Sequence, residues 1–93
     1  MSARAETAVV QVPGWLLDSA SPRALQVAAL LGRLAAGSGH VEVSRRTLAG
    51  QARCSLKIVD ASLAELEETG FLTRQARRDG TGQRVPNRYR LRP

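Results

Sequence analysis

Seven arginines, at 74, 77, 78, 84, 88, 90 and 92, fall between Thr73 and Pro93 with a single acid, Asp79, among them. A guanidinium offers a planar fork of donors that matches phosphate oxygens and the edge of guanine. A basic tail of this kind is expected to meet a polyanion, either nucleic acid or an anionic membrane surface. A second group that could do chemistry is Arg53-Cys54-Ser55-Leu56-Lys57, at the head of a run with helical periodicity. Catalytic chemistry has much less to work with. Cys54 is the one cysteine and His40 the one histidine, so neither an internal disulfide nor a zinc cage can be built. Cys54 is expected to be a small buried apolar residue and His40 a surface or turn residue. There is no phosphate-cradling glycine loop, no cluster of metal ligands and no nucleophile beside a base. Gly80-Thr81-Gly82 reads as a turn. The expectation is a protein that is not an enzyme, with no catalytic residue, metal or cofactor.

The elements that must position these side chains belong to a small chain. Its 93 residues suffice for one domain, and its 14 basic against 8 acidic residues give a net charge of +6. Hydrophobic residues make up 43% but aromatics only 3%, so the core must be built of Leu, Val and Ala, which favours packed helices. A core of this size often gains stability by dimerising, and a homodimer is expected. No apolar run approaches the roughly eighteen residues of a membrane span. The opening MSARAETAVV lacks the pattern of a signal peptide. The expected location is the cytoplasm, on the nucleoid, with no membrane partner.

Along the chain, residues 1–7 read as a disordered tail and 8–93 as the domain. Thr7 to Val12 is β-branched and stops at Pro13-Gly14, which reads as a strand and turn followed by an apolar knot, Trp15-Leu16-Leu17. Ser21 and Pro22 start a long helix that Gly37-Ser38-Gly39 ends. Val27, Leu30, Leu31 and Leu34 form its core stripe. Its other face, Leu25, Ala29, Gly32 and Ala36, is also apolar and must be covered, either by the N-terminal strand with Trp15 or by a second protomer. His40 to Val43 is a short strand. Ser44 caps a helix from Arg45 to about Ala52, and after a tight turn at Arg53-Cys54, Ser55 caps another that Gly70 stops. Val59, Leu63 and Leu66 face inward on that helix, while Glu65, Glu67 and Glu68 are expected in solvent. Phe71–Arg77 and Asn87–Leu91 read as two strands of a hairpin, with Asp79-Gly80 at the turn and Phe71 and Tyr89 in the core.

The run Arg46-Thr47-Leu48-Ala49, then Cys54-Ser55-Leu56-Lys57-Ile58-Val59, then Leu63 through Leu72, resembles small bacterial winged helix–turn–helix proteins. These include transcription regulators and the DNA-binding modules of plasmid and phage replication proteins. Val10 to Leu17 and Asn87-Arg88-Tyr89-Arg90-Leu91 are also similar to that group, so the resemblance covers roughly residues 9–91. It implies an α+β fold, mainly α: an N-terminal strand, three helices and a C-terminal β-hairpin wing. The family often has an arginine where Ala61 stands.

The resemblance implies a reading helix at about 55–69 in the major groove of duplex DNA. Ser55 and Arg53 would hold phosphate, Lys57 would be the hydrogen-bonding reader, and Ile58 and Ala61 would pack on thymine methyls. Arg45 and Arg46 would flank the groove, and the wing arginines Arg77, Arg78, Arg84 and Arg88 would grip backbone or enter the minor groove. A transcriptional regulator controlled by its abundance or by a protein partner is the first expectation. A plasmid or phage protein binding repeated sites for replication, transfer or partition is the second. A protein-interaction adaptor, docking a partner on Ile58, Ala61 and Ala64, is the alternative of another class.

Overall fold

The computed structural model describes residues 10–92. Over that span the chain is α+β, with four helices and a three-stranded antiparallel sheet. The helices are α1 (Gly14–Leu17), α2 (Pro22–Ala35), α3 (Arg45–Ala52) and α4 (Leu56–Thr69). The strands are β1 (His40–Glu42), β2 (Leu72–Arg78) and β3 (Arg84–Leu91), in the order β1-β3-β2. None of these helices is long and apolar enough to cross a membrane.

Each long helix starts on a serine whose side chain accepts from the third residue beyond it: Ser21 from the Ala24 N–H, Ser44 from Thr47 and Ser55 from Ile58. These are the orphan donors that a helix start leaves unpaired. α4 stops where Gly70 turns left-handed at φ 86°, with Phe71 N–H bonded back to the Leu66 carbonyl at 3.1 Å. That motif also folds Phe71 into the core, where it is 4% exposed.

The core lies where α2 packs on α3 and α4 and where the sheet closes over them. Leu48, Val59, Leu63, Leu66 and Tyr89 are fully buried in it, as is Leu16 of α1. Burying aliphatic side chains of this kind contributes on the order of 1.5–3 kcal/mol each, which explains why such a small chain can hold its helices in one arrangement.

The structure corrects four expectations. The apolar knot at Trp15-Leu16-Leu17 is part of a short helix, so the described residues hold four helices and not three. The N-terminal strand does not form over Val10–Pro13, while Thr7, Ala8 and Val9 lie outside the described residues. Val10 and Gln11 instead pass over Gly32 of α2: a Cβ at Gly32 would lie 3.6 Å from the Val10 side chain and 3.8 Å from the Gln11 carbonyl. The segment thus covers part of the second apolar face of α2, in the place offered to a strand or a second protomer. The core stripe of α2 is also displaced. Ala24, Val27, Ala28, Leu31 and Ala35 are buried, whereas Leu30 is half-buried and Leu34 is exposed. The small alanines let α2 lie close against its neighbours, and the buried stripe is rotated about the helix axis, so Ala35 is inside while Leu30 and Leu34 fall to one side of it. Finally, β3 is longer than expected and contains Pro86. Gln75 pairs with Arg88 and Arg77 with Val85, so Ala76 faces both Pro86 and Asn87 in a bulge. A proline lacks the N–H that regular pairing needs.

Candidate nucleic-acid interface

The turn between α3 and α4 sets the geometry of the surface. Arg53 closes α3 in the left-handed conformation, φ 56° and ψ 48°, and Cys54 N–H bonds the Ala49 carbonyl at 3.1 Å. Cys54 is half-buried and packs against the core. Val59, Ser62, Leu63 and Leu66 of α4 point inward. Helical periodicity then leaves Lys57, Ile58, Ala61 and Ala64 on the outer face, where all four are exposed. Ser55, also exposed, uses an oxygen lone pair in its cap, and its O–H remains able to donate. No acid stands in the first turn of α4, so the positive end of the helix is unopposed there.

The hairpin comes to the same place. A shallow depression of about 220 Å³ is lined by Ser44, Arg45 and Arg46 of the α3 start, Leu56 of the α4 start, and Val85, Pro86 and Asn87 of β3. The structure therefore brings both helix N-termini and the turn-side half of β3 around one hollow. Arg84 begins β3 opposite Arg78. At the tip, Asp79 accepts from Thr81 N–H at 2.9 Å, Thr81 Oγ1 at 2.6 Å and Gln83 N–H at 3.0 Å. The Thr81 hydroxyl and then these N–H groups hold the Asp79 carboxylate below its ordinary range.

The cations on this surface fall into two sets. Arg45 Nη1 lies 2.8 Å from both oxygens of Asp60 on α4, and that bond with its charge attraction raises the Arg45 guanidinium further. Glu42 of β1 takes Arg77 at 2.8 Å through one oxygen and Arg88 at 3.3 Å through the other. Arg46, Arg53 and Lys57 are exposed, and among the described residues no carboxylate pairs with them. Arg78, also exposed, donates to the Gly82 carbonyl at 3.1 Å. Of the residues expected to form the surface, Arg45, Arg77 and Arg88 are thus already held by carboxylates, while Arg46, Arg53, Lys57 and Arg78 are not.

A chain of a solved structure described as "Structure of Rep-DNA complex" has this fold. The two superpose with a TM-score of 0.68 over 100% of this chain and 81% of the other, at 16% sequence identity. Comparison with protein families and with curated proteins finds no match in sequence.

Four acids have roles that helical periodicity alone does not disclose. Glu42 and Asp60 hold the three arginines just described. Glu65, expected in solvent, bonds Ser21 at the start of α2, and Glu67 pairs with Arg74 of β2 at 2.7 Å. Glu68 is exposed as expected. Nothing in the local sequence signals the Asp60 pairing, since Lys57 one turn earlier is the nearer cation along the chain.

Proposed function

We propose that this chain is a winged helix–turn–helix protein that binds duplex DNA in a sequence-specific way. α4 is the reading helix in the major groove, and the β2–β3 hairpin is the wing on the flanking backbone. The observation that carries this reading is the convergence of the α3 start, the α4 start and the arginine hairpin on one hollow, beside the exposed face Lys57, Ile58, Ala61. In that arrangement Arg46, Arg53 and Ser55 contact phosphate, Lys57 donates to a base edge, and Ile58 and Ala61 pack on thymine methyls. The net charge of +6 supplies attraction over any sequence. The biological role proposed is that of a small transcriptional regulator. A second role, binding of repeated sites in replication, is favoured by the Rep–DNA structure that shares the fold.

The test is duplex affinity against salt. Affinity is expected to fall steeply, with a log–log slope of about −0.9 per neutralised phosphate. Affinity that stays flat from low to moderate salt would overturn the reading and favour an adaptor that docks a protein on Ile58, Ala61 and Ala64. Selection of bound duplexes from a random pool then separates the roles. A palindrome indicates a homodimer on an operator, and direct repeats indicate the replication-type role.

A further inference from the structure

We propose that Glu42 and Asp60 determine specificity by holding arginines of the DNA surface as a phosphate would, so that those arginines reach DNA only where the duplex fits. This rests on the duplex-binding reading above. Asp60 holds Arg45, which lines the hollow, and Glu42 holds Arg77 and Arg88 of the hairpin whose Val85, Pro86 and Asn87 line it. Asp60 lies on the reading helix between Lys57 and Ala61, and Glu42 lies on β1 opposite Arg88 in the sheet register. Glu42 divides its oxygens between Arg88 of β3 and Arg77 of β2, so one carboxylate spans all three strands. Asp60 presents both of its oxygens to one nitrogen of Arg45.

A carboxylate and a phosphate compete for the same donors of a guanidinium at the same distances. The partners here keep 37–45% of their side-chain surface in water. Exposed pairs of this sort are weak, so a phosphate held in the right place can displace the carboxylate. A passing duplex of the wrong shape holds no phosphate there, and the pair stays closed. Three arginines are thereby withdrawn from sequence-independent binding, which is made almost wholly of phosphate contacts. What selects a site is the ratio of specific to non-specific affinity, so lowering the second term sharpens recognition. Asp60 has a further consequence. Without Arg45 it would be a bare carboxylate beside the phosphates, so the pair also screens an acid that the reading helix carries.

The experiment titrates salt against two labelled duplexes, one of random sequence and one selected from a pool. It uses the full chain and its Glu42→Gln and Asp60→Asn variants, with Glu68→Gln as a control. Glu68 is exposed at the far end of α4, and its substitution changes the net charge equally. On random duplex each of the first two variants is expected to bind more tightly, by roughly two- to fivefold near 0.1 M salt. Its slope should steepen by about 0.9 for each arginine that gains a phosphate. The selected duplex should gain less, so the specificity ratio falls for E42Q and D60N but not for E68Q. Arg45→Ala should weaken binding more than the double variant Arg45→Ala with Asp60→Asn, because the double variant leaves no bare acid. If a variant melts early, Glu42→Ala and Asp60→Ala must show the same loss of ratio. Ratios and slopes equal to those of E68Q overturn the inference while leaving duplex binding intact. A wild-type chain that binds neither duplex overturns the duplex-binding reading, and the inference with it.

Discussion

Glu65, in the second half of α4, accepts two hydrogen bonds from Ser21 at the start of α2, from the backbone N–H at 2.6 Å and from the hydroxyl at 2.9 Å. The same hydroxyl accepts from Ala24 N–H at 3.2 Å, so the cap of one helix is fastened to the side of another. This fixes α4 lengthwise against α2, beyond what the Leu63 and Leu66 contacts achieve, since an apolar face resists separation better than sliding.

Glu65→Ala is therefore expected to lower stability by about 1–2 kcal/mol, the range for losing a cap and a charge-assisted bond. Thermal melting should fall by several degrees, and Glu65→Gln, which keeps an acceptor, should fall less. Unchanged melting for Glu65→Ala would return this residue to the solvated face.

Lys57 is the one basic side chain on the outer face of α4, set among Ile58, Ala61 and Ala64. Lys57→Ala should cost about 1–3 kcal/mol on a selected site and relax the preference at one base pair. Binding to random duplex should change little. Equal losses on both duplexes would make Lys57 a phosphate contact and move sequence reading to the apolar residues beside it.

Arg53 occupies a left-handed position that glycine adopts without cost, and a side chain there is destabilising by roughly 1 kcal/mol. Arg53→Gly should leave melting equal or raise it, the gain reduced by the greater freedom of glycine in the unfolded chain. Duplex affinity should fall together with the salt slope. A variant that melts higher and binds as before would show Arg53 to be only a turn residue.

The sequence was legible where structure is local. Ser21, Ser44, Ser55 and Gly70 mark helix ends because caps depend on residues within one turn, and α4 ends at Thr69 as its stop signal requires. The outer face of α4 followed from the burial of Val59, Leu63 and Leu66 alone. Partners across elements were not legible. Arg45 and Asp60 are 15 residues apart and belong to different helices, so no periodicity links them. A helical wheel weighted by side-chain size favours the leucines, but the neighbours of α2 meet its alanines, which is why Leu34 is exposed and Ala35 is buried. Val10 carried a strand signal from its branched side chain, but the neighbour available to it was the bare backbone of Gly32.

Asp79 gives the β2–β3 hairpin a defined response to acid. Its carboxylate is held below the ordinary range by the Thr81 hydroxyl and by the Thr81 and Gln83 N–H groups, and in the unfolded chain it returns to about 3.9. A group whose folded value is depressed stabilises the fold fully above its unfolded value and loses that contribution as pH falls through the folded one. That contribution is thus fully present at neutral pH. The protection factors of the Thr81 and Gln83 amides, taken against the intrinsic exchange rate at each pH, should hold until the solution is more acidic than the titration of a free aspartate, then fall as the carboxyl signal of Asp79 shifts. Asp79→Ala should expose both amides at neutral pH and weaken duplex binding, because Arg78 donates into the same turn at the Gly82 carbonyl. Protection lost already near pH 4 would show that the tip is held by its backbone bonds, Asp79 N–H to Gln83 and Gly82 N–H to Asp79, and not by the carboxylate.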